Sequence, residues 1–447
     1  MREQEFKPKP AKRPAGRRWT RIRAAAPIVL MASLAAFGPA SAQLLRGLGG
    51  GLHLPSPIDG LTSPVVSDVT DIQRLADQRL DRLRDQVRRS PKDLDLDGNG
   101  APVVRGEVLA LSPSQASIDI AAAAGFTVQS RERLDGLDLE VVILRAPNGL
   151  STRKAVERLK ALDPSGRYDF DHLYGGAGAA QPGEPHGAAT GPGPASNAVI
   201  GLVDTGVATD HPAFAHTDIR QEGFAPGGVR PAAHGTAVAS LMAGDGSGFQ
   251  GAAPGARVFA ADVYGAGPTG GSVDAIVRGL AWLGRSGVPV INMSLVGPPN
   301  LALEAAIHAL TARGVLIVAP VGNDGPAAPP LYPASYTGVI AVTAVDPRRR
   351  QIPEAGRASH LDFAAPGSGI AAARPGGGFS AVRGTSFAAP IVAGELAILV
   401  AGPARGQPSR AIAVLAAQAD PRGGSGLGRG VVGEDVAARL RSLGRSN

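Results

Sequence analysis

Four polar side chains, far apart in the chain, sit among glycines and small residues. They are Asp204 in Val203-Asp-Thr-Gly206, His234 in His234-Gly-Thr236, Asn323 in Gly322-Asn-Asp-Gly325, and Ser386 in Gly384-Thr-Ser-Phe-Ala-Ala-Pro390. A serine hydroxyl is a weak nucleophile near neutral pH and needs a base within hydrogen-bond reach. An imidazole base needs a carboxylate to fix its tautomer, and the oxyanion formed at an attacked carbonyl needs donors already in place. The four residues supply one group for each duty, which is the chemistry of acyl transfer through a covalent serine intermediate.

That chemistry requires elements that bring the four together. The apolar run Ala198–Val203 predicts a buried strand that delivers Asp204 at its C-terminal end, where open α/β sheets place their sites. His234 opens a helix whose apolar residues are Val238, Leu241 and Met242. Val290–Met293 predicts a second strand, leading into Ser294, and Val315–Ala319 a third, feeding the turn at Asn323. Ser386 stands at the start of an apolar helix running to about Val400, whose dipole and first N–H groups would face the oxyanion. Strands alternating with helices predict a doubly wound, mostly parallel α/β domain over residues 197–441, followed by a short tail, 442–447.

In the order Asp, His, Asn, Ser, with spacings of 30, 89 and 63 residues, these motifs resemble the subtilisin-like serine proteases. The resemblance covers about residues 197–441 and includes Ile291–Leu295 and Gly428–Gly433. It implies a serine endopeptidase in which Ser386, His234 and Asp204 are catalytic and Asn323 helps form the oxyanion hole. It also implies an extended polypeptide substrate held against Ser294, Leu295, Val296 and Gly297, and against a second edge at Gly270 and Gly271. Val296 stands where the family usually has glycine, and Pro320 and Val321 replace small residues beside the first specificity pocket. A β-branched side chain crowds a backbone approach and proline removes a donor, so substrate preference does not transfer from the family. A small or medium apolar residue before the scissile bond is expected, with a basic one, drawn by Asp324 at the rim, as the alternative. The segment Gly244–Gly251 is too short for the family's longer calcium loop, so the usual tight calcium site is expected to be missing; no cofactor is expected to be required, and a structural calcium elsewhere stays open.

Two other readings compete. A non-catalytic exported peptide-binding protein on the same scaffold predicts a broken constellation, whereas all four residues are present. An aspartic protease using Asp204 needs a second carboxylate to share a proton, and the sequence holds no other Asp-Thr-Gly or Asp-Ser-Gly.

Composition narrows the field further. The 447 residues are 44% hydrophobic and contain no Cys, which excludes thiolate catalysis, Cys-ligated metals and a disulfide framework. The net charge of +7 invites a nucleic-acid partner, but the first 42 residues carry nine Lys/Arg against Glu3 and Glu5. The rest of the chain is neutral and offers no phosphate-binding face of its own. Residues 1–42 have the form of a signal peptide: a basic stretch to Arg23, an apolar stretch Ala24–Phe37, and Ala40-Ser-Ala42 as the cleavage site. The expectation is an exported protein, periplasmic or secreted, with no stable membrane anchor after that cleavage.

Residues 43–101 read as a linker and a charged amphipathic helix, Ser67–Arg89. Asp95–Gly100 opens like a calcium loop, but its twelfth position is Gly106 instead of Glu, so a solvated turn is expected. Residues 102–174 alternate as βαββαβ, the ferredoxin-like order. By the same resemblance this unit is the propeptide, a partner of the enzyme domain until it is cut away. Residues 175–196, rich in Gly, Ala and Pro, read as an exposed linker with the maturation site.

Overall fold

The computed structural model describes residues 63–176, 179–180, 197–246, 248–402, 404–422 and 426–442. The expected signal peptide, the linker up to residue 62 and most of the tract 175–196 lie outside the described residues.

A run of short, mostly apolar strands builds the larger sheet. β8 (Val199–Asp204), β9 (Ile219–Gly223), β12 (Arg257–Asp262), β13 (Val290–Met293), β15 (Leu316–Pro320), β16 (Val339–Val345) and β17 (Phe363–Pro366) are all parallel, in the order β17-β16-β15-β13-β8-β12-β9. Every residue of β13, β15, β16 and β17 is buried, as a parallel sheet covered on both faces requires. α4 (Ala233–Ala243) and α7 (Ala389–Ala401) pack together on one face, and α5 (Val273–Arg285) and α6 (Leu301–Ala312) on the other. The strand order turns back at β8, so Asp204 ends a strand at a topological switch point. The predicted doubly wound α/β domain is therefore present, with strand limits within a residue or so of those expected.

Smaller elements complete this domain. β10 (Asp245–Gly246) and β11 (Phe249–Gln250) form the hairpin after α4, and β14 (Leu295–Val296) follows β13. β18 (Ser368–Ala373) and β19 (Phe379–Arg383) form a second hairpin before Ser386. α8 (Pro408–Gln418) and α9 (Glu434–Ser442) close the chain.

Residues 63–172 form α1 (Ser63–Arg89), β1 (Leu94–Leu96), β2 (Pro102–Leu111), α2 (Gln115–Ala123), β3 (Thr127–Leu134), β4 (Leu139–Arg145), α3 (Thr152–Leu162) and β5 (Tyr168–His172). β2 lies between β5 and β4, with β3 outermost, which is the antiparallel ferredoxin-like arrangement. β1 adds a short antiparallel pair to β2 from ahead of residue 102. The turn after β1 is not simply solvated. Asp97 Oδ1 accepts from Asn99 N and Ala101 N at 2.8 Å each, and Oδ2 stands 3.2 Å from His172 Nε2.

Strand alternation gives this small sheet two apolar faces. Val108, Ala110, Val142 and Leu144 pack under α2 and α3, with Ala121, Val156 and Leu159. Leu109, Leu111, Val141 and Ile143 join the core of the larger domain instead. The unit docks on α5 and α6, and Asp171 and Asp169 cap them: Asp171 Oδ1 accepts from Asp274 N at 3.0 Å, and Asp169 Oδ2 accepts from Leu301 N at 2.8 Å. The Asp135-Gly136 turn also seats here, because a Cβ on Gly136 would stand 2.4 Å from the Ala281 carbonyl oxygen.

Candidate active site

Each of the four polar residues is delivered by the end of an element. Asp204 closes β8 and its carboxylate is almost fully buried. His234 lies in the first turn of α4, which approaches β8 closely: a Cβ on Gly235 would stand 2.2 Å from the Thr205 carbonyl oxygen, and Gly235 N donates to Thr205 Oγ1 at 2.9 Å. Ser386 occupies a 3-10 turn, Thr385–Phe387, that leads into α7. Asn323 follows β15.

The groups meet as their chemistry requires. His234 Nδ1 lies 2.8 and 2.9 Å from the two Asp204 carboxylate oxygens, and His234 Nε2 lies 3.1 Å from Ser386 Oγ. Facing a carboxylate, Nδ1 carries the proton, which leaves Nε2 to accept from the serine hydroxyl. Burial works against a charged imidazole, but the charge of Asp204 and its hydrogen bond outweigh it, so His234 titrates above its ordinary value. Asn323 Oδ1 accepts from Thr385 N at 2.9 Å, which ties the amide to the Ser386 turn and makes Nδ2 its donor end. An alcohol, base and carboxylate in this order can pass a proton while the alcohol attacks a carbonyl.

The expected substrate-binding residues divide. β14 pairs antiparallel with β6 (Gly175–Gly176), matching Leu295 with Gly176 and Val296 with Gly175. Gly271 O accepts from Tyr174 N at 2.8 Å, and Leu173 bridges to Ser272. Leu173–Gly176 therefore run as an extended strand between Leu295–Val296 and Gly271–Ser272. Gly297 lies against the Tyr174 ring, and the Tyr174 hydroxyl donates to the Pro298 carbonyl. The Ser294 side chain turns away from this strand: its Oγ donates to Ser386 O at 3.0 Å and accepts from Asn292 Nδ2 at 2.8 Å. Gly270 stays within its own turn, donating to Gly267 O. Pro320 ends β15 without breaking the ladder, since Val321 N donates to Val342 O at 3.0 Å.

The start of the tract expected as an exposed linker is ordered against the site. β7 (Ala179–Ala180) pairs with β19, matching Ala179 with Arg383 and Ala180 with Val382, just ahead of Ser386. A Cβ on Gly176 would meet the His234 ring at 3.6 Å. Gly and Ala give no apolar period, so nothing local marks these residues as strands; the signal would have been their complementarity to the edges of β14 and β19. Asn292 was also missed, although a polar residue inside the apolar run Val290–Met293 marks it. Among the described residues no group of three or more His, Asp or Glu is placed to hold a metal ion, and no helix is long and apolar enough to cross a membrane.

The subtilase family model matches residues 195–431. Subtilisin Savinase from Lederbergia lenta is 37% identical over 215 residues, covering 46% of this chain and 76% of that protein. An alkaline protease from Alkalihalobacillus alcalophilus is 37% identical over 215 residues; the match covers 46% of this chain and 54% of that relative, about half its length. Among solved structures, fervidolysin from Fervidobacterium pennivorans, a keratinolytic enzyme related to subtilisin, gives a TM-score of 0.64 at 23% identity. That likeness covers 75% of this chain and 61% of the other and supports the fold. The chain belongs to the subtilase family, the subtilisin-like serine endopeptidases.

Proposed function

We propose that this protein is an exported endopeptidase, made as a precursor that cuts itself, with Ser386 as the nucleophile. Ser386 Oγ attacks the peptide carbonyl as its proton passes to His234 Nε2. Asp204 holds the imidazole through Nδ1 and stabilises the imidazolium. The oxyanion is received by Asn323 Nδ2 and the Ser386 backbone N–H, at the mouth of the turn leading into α7. His234 then protonates the leaving amine, and a water molecule, deprotonated by His234, hydrolyses the acyl-enzyme. The reaction uses no cofactor.

The observation that carries this reading is the continuous relay from Asp204 through His234 to Ser386, with an extended strand of the same chain laid over it. Substrate binding is then strand addition, the place now taken by Leu173–Gly176. Residues 94–176 act as the propeptide, filling the cleft with their own last strand. The maturation bond falls between the two strands that flank Ser386, after Gly176 and before Ala179. Residues 1–42 direct export and are removed. A fluorophosphonate probe tests the nucleophile: labelling of Ser386 together with casein hydrolysis after self-processing is expected. Absence of labelling in the processed protein would instead favour a peptide-binding protein that has kept the scaffold.

A further inference from the structure

α1 lies ahead of the unit proposed as the propeptide, yet it reaches the enzyme domain by a contact of its own. Asp324 Oδ1 accepts from Arg82 Nη2 at 2.6 Å, and its Oδ2 lies 3.0 Å from Arg79 Nε. Two arginines three residues apart on one helix face thus hold a single carboxylate, 242 positions beyond Arg82. Asp324 and Arg79 are well covered, with side chains 16% and 17% exposed, so the contact is partly desolvated. The pairs Asp81–Arg84 and Asp85–Arg88, internal to α1, are more exposed.

The same helix face runs beside the strand that fills the cleft. Arg79, Leu83, Gln86 and Val87 recur at i, i+4, i+7 and i+8, and all four are half-buried. Val87 packs on Leu94, Val104 and Leu173, where the N-terminal sheet meets that strand. Leu83 and Gln86 wall a hollow of about 150 Å³ together with Gly175, Gly176, Val296 and Asp324. α1 is therefore fixed to the N-terminal unit through Val87 and to the enzyme domain through Arg79, about 12 Å apart along the helix axis. Self-cleavage removes the covalent tie between Leu173–Gly176 and the enzyme domain. Gly175 and Gly176 have no side chains to hold the cut strand, and α1 supplies a side-chain contact beside them. Two other ion pairs that join the N-terminal sheet to the enzyme domain, Arg313–Asp138 at 2.9 Å and Arg278–Glu132 at 3.7 Å, are more exposed. They engage β3 and the turn after it instead of the strand in the cleft.

We propose that α1 is a latch: after the chain has cut itself, Arg79 and Arg82 seated on Asp324 keep Leu173–Gly176 in the cleft, and the opening of this contact sets when other polypeptides can enter. The inference rests on the proteolytic reading above and adds to it a release step separate from the cut. The test compares the full-length protein with an Arg79→Gln/Arg82→Gln double variant, incubated at equal concentration. Glutamine removes both charges and keeps a good helix former at each position. Intact mass follows the cut, and casein hydrolysis follows release in the same sample. Both proteins are expected to cut at the same rate and to reach the same final activity. The delay between the cut and casein hydrolysis should be about 5–10-fold shorter in the double variant, as loss of charge-assisted contacts allows. Arg79→Glu/Arg82→Glu should shorten it further, because Asp324 then repels the helix. Asp138→Asn, which removes an exposed pair between the same two parts of the chain, should change the delay by less than about two-fold. Equal delays in wild type and the double variant overturn the proposal, as does an Asp138→Asn effect as large as that of the double variant, or a wild type with no delay. Fluorophosphonate labelling separates the two levels. A cut and labelled Ser386 with equal delays defeat only the latch, whereas no cut and no labelling in any of these proteins defeat the proteolytic reading and the latch with it.

Discussion

The two sheets of this protein bury their strands in different ways. In the parallel sheet, β13, β15, β16 and β17 are covered on both faces, and the site residues emerge only where strands end. In the antiparallel sheet, β3 is exposed at seven of its eight residues, while β2 and β4 split their apolar residues between a small private core and the neighbouring domain. Each of the shared residues Leu109, Leu111, Val141 and Ile143 contributes roughly 1.5–3 kcal/mol of burial that exists only while the two domains are together. The enzyme domain carries its own core, whereas the N-terminal unit borrows part of its core from its partner. That shared core fits the propeptide role proposed for the segment.

Three perturbations sharpen this contrast, beginning with the enzyme side. Asp204→Asn removes the carboxylate that fixes His234 and should lower kcat/KM by about 10³–10⁴ without unfolding the chain. The wild-type rate needs neutral His234, whose value is raised, so activity should fall with acid through a midpoint above the ordinary imidazole value of about 6.5. In Asp204→Asn the residual activity should show that midpoint moved down. A pH–rate profile of each protein reads both effects.

Asn323→Ala should cost about 10²–10³ in kcat, with KM changing much less, because the amide acts on charge that develops only in the transition state. Equal losses in kcat for Asn323→Ala and Asp204→Asn would mean that Asn323 mainly supports the Ser386 turn through Thr385.

The docking side responds to pH with the opposite sign. Burial, then the neighbouring Asp274 and Glu107 carboxylates, push Asp171 well above the usual carboxylate range. Burial also raises Glu107, against the pull of Arg145. Carboxylates raised in the docked state bind more protons there, so docking is strongest at low pH and weakens as pH rises above the ordinary carboxylate range. After the cut, retention of the N-terminal unit on size-exclusion chromatography should fall several-fold from pH 5 to pH 8. Asp171→Asn should flatten that dependence. Retention that grows with pH would break the comparison.

What the sequence disclosed, and what it withheld, follows from the same physics. Asp204, His234, Asn323 and Ser386 were legible because each stands in a dense motif at the end of an apolar run. Of the seven parallel strands, β8, β13 and β15 were legible because two-sided burial writes short apolar runs, whereas β9, with its exposed Arg220 and Glu222, carries no such run. β1 was not, since three residues carry no period. Gly175–Gly176 and Ala179–Ala180 were not recognised as strands beside the site because Gly and Ala pair by backbone alone. Ser294 was assigned to substrate from its motif, yet its hydroxyl braces the Ser386 turn, a contact spanning 92 residues that no local pattern records. The Arg79–Asp324 pair was hidden for the same reason, since α1 shows only a solvated charge pattern.

One measurement bears most directly on the relay from Asp204 to Ser386 and the strand it faces. The full-length protein and its Ser386→Ala variant are purified separately, incubated, and followed by intact mass and N-terminal sequencing. Wild type is expected to break once between Gly176 and Ala179, and Ser386→Ala, equally folded by circular dichroism, to remain whole. A pure Ser386→Ala variant that cuts itself at the same place would contradict the account.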